Sequence, residues 1–143
     1  MSWHHRSVEI RELAPGDGSL LALAVRTFRD VDAAAPDLFL ADPLTHAFVA
    51  MDGDSVIGWC HGYELFRPEG RWMMFMSGIE VLQERRREGV GRALLDRFVA
   101  LARSKGHAKM WLLTDAGNDV ARRLYEGAGT GPTEKLGYWW VFG

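Results

Sequence analysis

At 143 residues the chain has the common size of one domain, long enough to bury roughly two thirds of its unfolded surface around a single core. Apolar residues make up 48% and charged residues 25%, a globular balance that excludes disorder by composition. The formal net charge of −2 excludes the broad cationic surface that nucleic acid or an anionic membrane would require, so neither is an expected partner and any anion site must be local.

The elements follow in chain order. The start, Met1 to Arg6, lacks the apolar run of a signal peptide, and no run of about eighteen apolar residues occurs anywhere. Ser7 to Leu13 alternates apolar and charged residues and reads as a half-buried strand. After Pro15-Gly16-Asp17-Gly18, the residues Leu20, Leu21, Ala24, Val25, Phe28 and Val31 form one stripe at helical spacing. Ala33 to Pro43 reads as a loop or a short irregular helix. His46 to Met51 and Ser55 to Phe66 are strand-like and joined by Asp52-Gly53-Asp54, a turn suited to a tight hairpin. Arg67 to Gly70 makes a second turn, and Arg71 to Leu82 continues as a long strand in which Ser77-Gly78 marks a bulge. These three strands predict an antiparallel meander.

From Gly91 the period becomes helical, with Leu94, Leu95, Phe98, Leu101 and Ala102 on one face and a stop at Gly106. Lys109 to Thr114 is a continuous apolar run, expected as a strand buried on both faces and parallel to the long strand. Asn118 can cap a last helix carrying Leu124 and Tyr125, and Tyr138 to Phe142 predicts a closing aromatic strand. A strand of that kind can pair with a second copy, so a homodimer is among the expected assemblies. No linker or repeat divides the chain, and one domain over residues 1–143 is expected, of mixed α/β (α+β) class. Cys60 is the only cysteine, which excludes an internal disulfide and suits a cytoplasmic protein; it is expected as a small buried hydrophobe. His46, His61 and His107 are scattered without metal-ligand spacing, so no metal is expected; His61 could face a groove, but a packed histidine is the commoner case.

The segment that carries chemistry is Arg85-Arg86-Arg87-Glu88-Gly89-Val90-Gly91-Arg92-Ala93, between the long strand and its helix. A helix N-terminus offers unpaired N–H donors and partial positive charge, and glycines at 89 and 91 let a phosphate approach the backbone. Arg86, Arg87 and Arg92 add charged donors, and together they describe a diphosphate cradle. A solvated charge run followed by a turn accounts for the same hexapeptide when it stands alone. The segment lacks the lysine and hydroxyl residue of the Walker loop and the third glycine of the dinucleotide fingerprint, which disfavours a kinase or an NAD enzyme.

Arg86-x-x-Gly89-x-Gly91, opening a helix after a strand that ends at Val81, resembles the acetyl-coenzyme A signature of the GNAT superfamily of N-acetyltransferases. Asn118-x-x-Ala121-x-x-x-Tyr125 resembles that family's later Asn and Tyr helix. The compact length, Glu80-Val81 and Leu124 to Gly129 look like the aminoglycoside 3-N-acetyltransferase branch, whose relatives often carry an acidic residue where this chain has Gly78. The resemblance implies a mixed sheet of about six to seven strands flanked by about four helices, with the parallel pair splayed at Val81 and Leu113 around the cofactor. It further implies acetyl-CoA as co-substrate and no metal. Backbone groups of Ile79 and Val81 would bond the pantetheine arm. The N–H groups of Arg86, Arg87, Glu88, Gly89, Val90, Gly91, Arg92 and Ala93 would hold the pyrophosphate, with Asn118 and Ala121 near the arm. Tyr125 is the implied general acid, a phenol of intrinsic pKa about 10 that can protonate the leaving thiolate. Glu80 is the candidate base, and an arginine partner explains it equally well. Acidic residues Asp30, Asp32, Asp37, Asp42, Glu64 and Glu69 lie where such enzymes recognise the acceptor and would suit a cationic small-molecule amine such as an aminoglycoside or polyamine. A protein or peptide N-acetyltransferase and a non-catalytic acyl-CoA-binding module are the alternatives.

Overall fold

The computed structural model describes residues 8–143, which fall into two compact units, one ending at Leu113 and the other running Thr114–Gly143. Ser7 and the Met1 to Arg6 start lie outside the described residues. In the first unit the strands stand in the order β1 (Val8–Glu12), β2 (Thr45–Asp52), β3 (Ser55–Phe66), β4 (Trp72–Val81) and β5 (Met110–Trp111). Three helices accompany them: α1 (Gly18–Phe28), α2 (Ala35–Ala41) and α3 (Val90–Ser104). β1 to β4 are antiparallel neighbours and β5 runs parallel to β4, so the predicted meander extends to a fourth strand.

The two-residue period of β2 and β3 divides the core between the faces of the sheet. On one face Ala47, Val49, Met51 and Trp59 pack with Leu21 and Ala24 of α1 and Leu40 of α2. On the other, Phe48 meets Phe98 of α3 edge-on at 5.5 Å between centroids. Phe98, Leu94 and Met74 are fully buried, each contributing about 1.5–3 kcal/mol through burial. Glycines let α3 approach closely: a Cβ on Gly58 would stand 3.2 Å from Val90 Cγ1, and one on Gly62 would stand 2.7 Å from Phe98 Cζ.

The predicted bulge is present. His61 pairs with Gly78 and Gly62 with Met76, which leaves Ser77 as the extra residue of β4. As a result Trp59, His61 and Tyr63 share one face with their partners Glu80, Gly78 and Phe75, while Cys60 and Gly62 turn to α3.

Three expectations are corrected. Ala35–Ala41 is a regular helix, started by Pro36 in its first turn, where a missing N–H costs nothing. The strand expected over Lys109 to Thr114 shrinks to Met110–Trp111 and is not buried on both faces: Trp111 is 37% exposed and Leu113 54%. It is an edge strand with one neighbour, so its apolar run lacks a second partner. The closing strand over Tyr138 to Phe142 does not form among the described residues, and the sheet has five strands rather than six or seven. β propensity is a preference for a pleated, half-buried surface, and this segment has no partner strand there; Tyr138, Trp139 and Trp140 are exposed, with the Trp139 ring folded onto Gly137. Within the second unit, α4 (Asp119–Gly127) starts at Asn118, whose Oδ1 accepts from Ala121 N at 3.1 Å.

Candidate active site

β4 pairs with β5 only at Met74 and Phe75, so among the described residues no strand covers its edge from Met76 to Val81. Ile79 and Val81 lie on this open edge, where their backbone groups can bond an extended ligand as an added strand would. The chain then passes through a 3-10 turn at Gln83–Arg85 into the arginine and glycine segment. Arg87 has φ 69° and Gly89 φ 84° and ψ 8°, both left-handed. The glycine accepts this freely; the arginine costs about 1–2 kcal/mol, an outlier of the kind that marks a ligand-holding loop. Gly89 precedes α3 without a side-chain cap, and a Cβ there would meet nothing within 4 Å, so the space beside the helix start is open.

The arginines divide by partner. Arg85 is structural, its guanidinium held by Asp52 at 2.9 Å and by Glu88 at 3.0 Å. Arg92 reaches Asp96 at 2.9 Å along the helix. Arg86 and Arg87 are exposed and have no carboxylate partner among the described residues, so they remain available for an anion. The open edge, the left-handed loop and these two cations fit a long ligand carrying phosphate, such as coenzyme A.

On the same face as Trp59 and Glu80 lies a cavity of ≈ 220 Å³, bounded by α1, the turn after it, α2 and β3. Its β3 wall is aromatic. The His61 ring stacks on Trp59 at 4.7 Å and 7°, and Phe39 and Tyr63 meet it edge-on at 5.8 and 5.9 Å. Asp30 and Asp32 line the opposite side. Glu80 Oε1 accepts from Trp59 Nε1 at 3.0 Å and forms an ion pair with Arg29 Nη2 at 2.5 Å. Burial in this aromatic setting, aided by the Arg29 charge and opposed by Glu80, pushes the His61 imidazole below its ordinary value, so it is neutral at pH 7.

Of the six acidic residues proposed for the acceptor, only Asp30 and Asp32 line the cavity. Asp42 caps Leu44 N, and Glu69 pairs with Arg67. Glu64 is buried: His46 Nε2 lies at 2.7 Å and Lys105 Nζ at 3.3 Å from one oxygen, and His107 Nε2 at 2.9 Å from the other. The His107 contact has ion-pair distance without hydrogen-bond alignment. Glu64 is thus a structural charge rather than part of an acidic surface. The sequence carried no sign of this cluster, because its members come from β2, β3 and the segment after α3.

The Acetyltransferase (GNAT) family profile matches residues 16–129. The chain belongs to the GNAT family of acetyltransferases. No curated protein sequence matches it. Among solved structures, an aminoglycoside acetyltransferase from an uncultured soil metagenomic sample, in complex with sisomicin, superposes with TM-score 0.87 at 17% identity, covering 98% of this chain and 99% of that one. The aminoglycoside acetyltransferase AAC(6')-Iy, in complex with the bisubstrate analogue CoA-S-monomethyl-acetylneamine, gives 0.78 at 19% identity, covering 94% and 98%. The ribosomal-protein-alanine N-acetyltransferase of Brucella melitensis biovar Abortus 2308 gives 0.79 at 22%, covering 95% and 99%. At these identities the three share the fold with this chain. The match spans both motifs, including the helix of the second unit where Asn118 and Ala121 form the cap and Tyr125 is the buried residue.

The GNAT motifs were readable from residue order, but the cavity was not. Its walls come from segments up to about forty residues apart, and the clue within reach was the alternation Trp59, His61, Tyr63 along one strand face.

Proposed function

We propose that this chain transfers the acetyl group of acetyl-CoA directly to a primary amine of a small molecule, with aminoglycosides as the leading acceptor class, and that residues 1–143 act as one catalytic domain. The observation that carries the reading is the pairing of a phosphate-ready loop and open β4 edge with an aromatic and acidic cavity on the adjoining strand. A cavity of ≈ 220 Å³ with Asp30 and Asp32 in its wall suits one cationic amine group better than an extended peptide, which favours a small acceptor over a protein.

In this reading the backbone of Ile79 and Val81 holds the pantetheine arm, the N–H groups from Arg86 to Ala93 take the pyrophosphate, and Arg86 and Arg87 bind its charge. Asp30 and Asp32 draw in the ammonium form of the acceptor. Tyr125 is proposed as the proton donor to the departing thiolate, and Asn118 and Ala121 as neighbours of the arm; these roles rest on the motif they share with the family. Glu80 is the acidic group that the motif suggests as base, but its Oε1 already accepts from Trp59 and is ion-paired with Arg29, which suits it to fixing the cavity wall.

The test is calorimetry with acetyl-CoA, followed by a free-thiol assay against sisomicin, neamine, spermidine, amino acids and a basic peptide. Binding together with thiol release on the small polyamines supports the proposal. Release only on the peptide replaces the acceptor class, and absence of cofactor binding removes the reading altogether. Tyr125→Phe should lower turnover by about 100-fold with cofactor binding unchanged, whereas a pure binding module would show no turnover to lose.

A further inference from the structure

His61 stands at the meeting point of the cavity and the open strand edge. Its ring lines the cavity, and its cross-strand neighbour on β4 is Gly78. β4 is the strand whose far edge lies open from Met76 onward, so His61 is one strand, about 4.8 Å, removed from that edge. A Cβ on Gly78 would meet no atom within 4 Å, so the sheet is bare at this position. The glycine leaves open space on the edge side of the imidazole.

The ring's surroundings keep it in place without occupying its chemistry. Trp59 stacks against it, Phe39 and Tyr63 close the sides, and Nδ1 is sealed with no hydrogen-bond partner among the described residues. Nε2 is not so sealed. A histidine that merely filled space or braced the sheet would be expected to bond a carbonyl or carboxylate through one nitrogen. The carboxylate of Glu80, on the neighbouring strand, instead meets Trp59 and Arg29 through Oε1.

We propose that His61, through Nε2, is the group that takes the proton from the acceptor amine, a role that rests on the transferase reading above. The acceptor enters as an ammonium and gives one proton to Nε2, leaving a neutral amine and an imidazolium. The amine lone pair forms the C–N bond to the thioester carbonyl carbon, and the C–S bond breaks with its electron pair passing to sulfur. The second proton lost by nitrogen ends on that sulfur, by way of Tyr125 in the scheme above, and the imidazolium returns its own proton to solvent. Every charged group facing the ring fits this cycle. Arg29, at the end of α1, favours the neutral imidazole that begins it, while Glu80 on β4 tempers the charge that forms; Asp30 and Asp32, in the turn after α1, line the same cavity. Burial keeps the imidazole unprotonated at neutral pH, so the base is present in its working form.

The experiment uses the full chain and His61→Gln, with sisomicin and spermidine as acceptors. Imidazole NMR over pH 4–9, with the His61 signal assigned by its loss in the variant, should show a midpoint below about 6.5 and a lone pair on Nε2. In the parent protein kcat/KM should fall on an acidic limb with that same midpoint. His61→Gln should lower kcat/KM by about 100-fold and abolish the limb, while acetyl-CoA affinity by calorimetry stays within about twofold. A variant that keeps the limb, or a parent imidazole that is protonated at pH 7, overturns the assignment and leaves the transferase reading standing. A parent protein that binds acetyl-CoA but acetylates no amine overturns the transferase reading, and this inference with it.

Discussion

Gly62 and Gly78 lie within the same bulged stretch of the β3–β4 pair, yet they face opposite sides of the sheet and opposite surroundings. In Gly62→Ala the new methyl would overlap the carbonyl oxygen of Phe75 and stand 2.7 Å from Cζ of Phe98. Carbon atoms pack comfortably at about 3.5–4.0 Å, so the Phe98 ring must withdraw by about 1 Å in a core where it is fully buried. The carbonyl cannot withdraw without disturbing the ladder. Overpacking of this kind costs about 1–3 kcal/mol, and a clash with backbone places Gly62→Ala near 3 kcal/mol. The lower unfolded-state entropy of alanine returns about 0.5–1 kcal/mol, which leaves a net loss of about 2 kcal/mol and a fall in Tm of roughly 4–8 °C. Gly78→Ala meets nothing and should be neutral or stabilising by about 0.5 kcal/mol. Urea unfolding followed by tryptophan fluorescence measures both. Equal midpoints for the two variants would show that α3 does not press on β3 as described. Gly78→Val, also expected to fold, should lower acetyl transfer by partly filling the open space beside His61.

Three further outcomes follow from the charges and the thiol. Arg86→Ala, exposed and lacking a carboxylate partner among the described residues, should weaken acetyl-CoA binding about fivefold with an unchanged urea midpoint; Arg85→Ala, which loses the Asp52 and Glu88 contacts, should do the reverse, and exchanged effects would misplace the cradle. Burial pushes the Glu64 carboxyl up, but bonds from His46 and Lys105 outweigh it and hold the group below the usual carboxylate range. Its stabilisation is therefore complete above the unfolded value of about 4.3 and is lost as pH falls through the lower folded value. Glu64→Gln should remove about 3 kcal/mol at pH 7 and flatten the acid limb of stability measured by urea unfolding; an unchanged midpoint at pH 7 would refute the cluster. Burial raises the Cys60 thiol to about 12, so about one molecule in ten thousand carries thiolate at pH 8. Ellman's reagent should release no thiolate from the native protein and one equivalent in guanidinium, whereas a fast native reaction would expose the residue.

The amino-acid order by itself determined the elements whose cause is local. The stripe Leu94, Leu95, Phe98 and Ala102 makes α3 because those side chains share a helix face, and Ser77-Gly78 makes a bulge because glycine tolerates an irregular ladder. The glycine turn that opens α3 at Gly89 was likewise readable, since a left-handed residue before a helix is a local backbone requirement. Tertiary structure alone decided what depends on neighbours distant in sequence. The aromatic run Tyr138 to Phe142 has strand propensity but no partner strand among the described residues, and β5 is confined to the two residues that pair with β4. Likewise, residue order left Glu80 open between a base and an arginine partner, and the fold sets Trp59 and Arg29 on it; it left His61 open between a groove and a packed position, and the fold places its ring on a cavity wall without a bond to Nδ1. Residue type sets what a side chain can do, but the groups within about 4 Å, set by the fold, decide whether that capacity is spent on structure or left for a ligand.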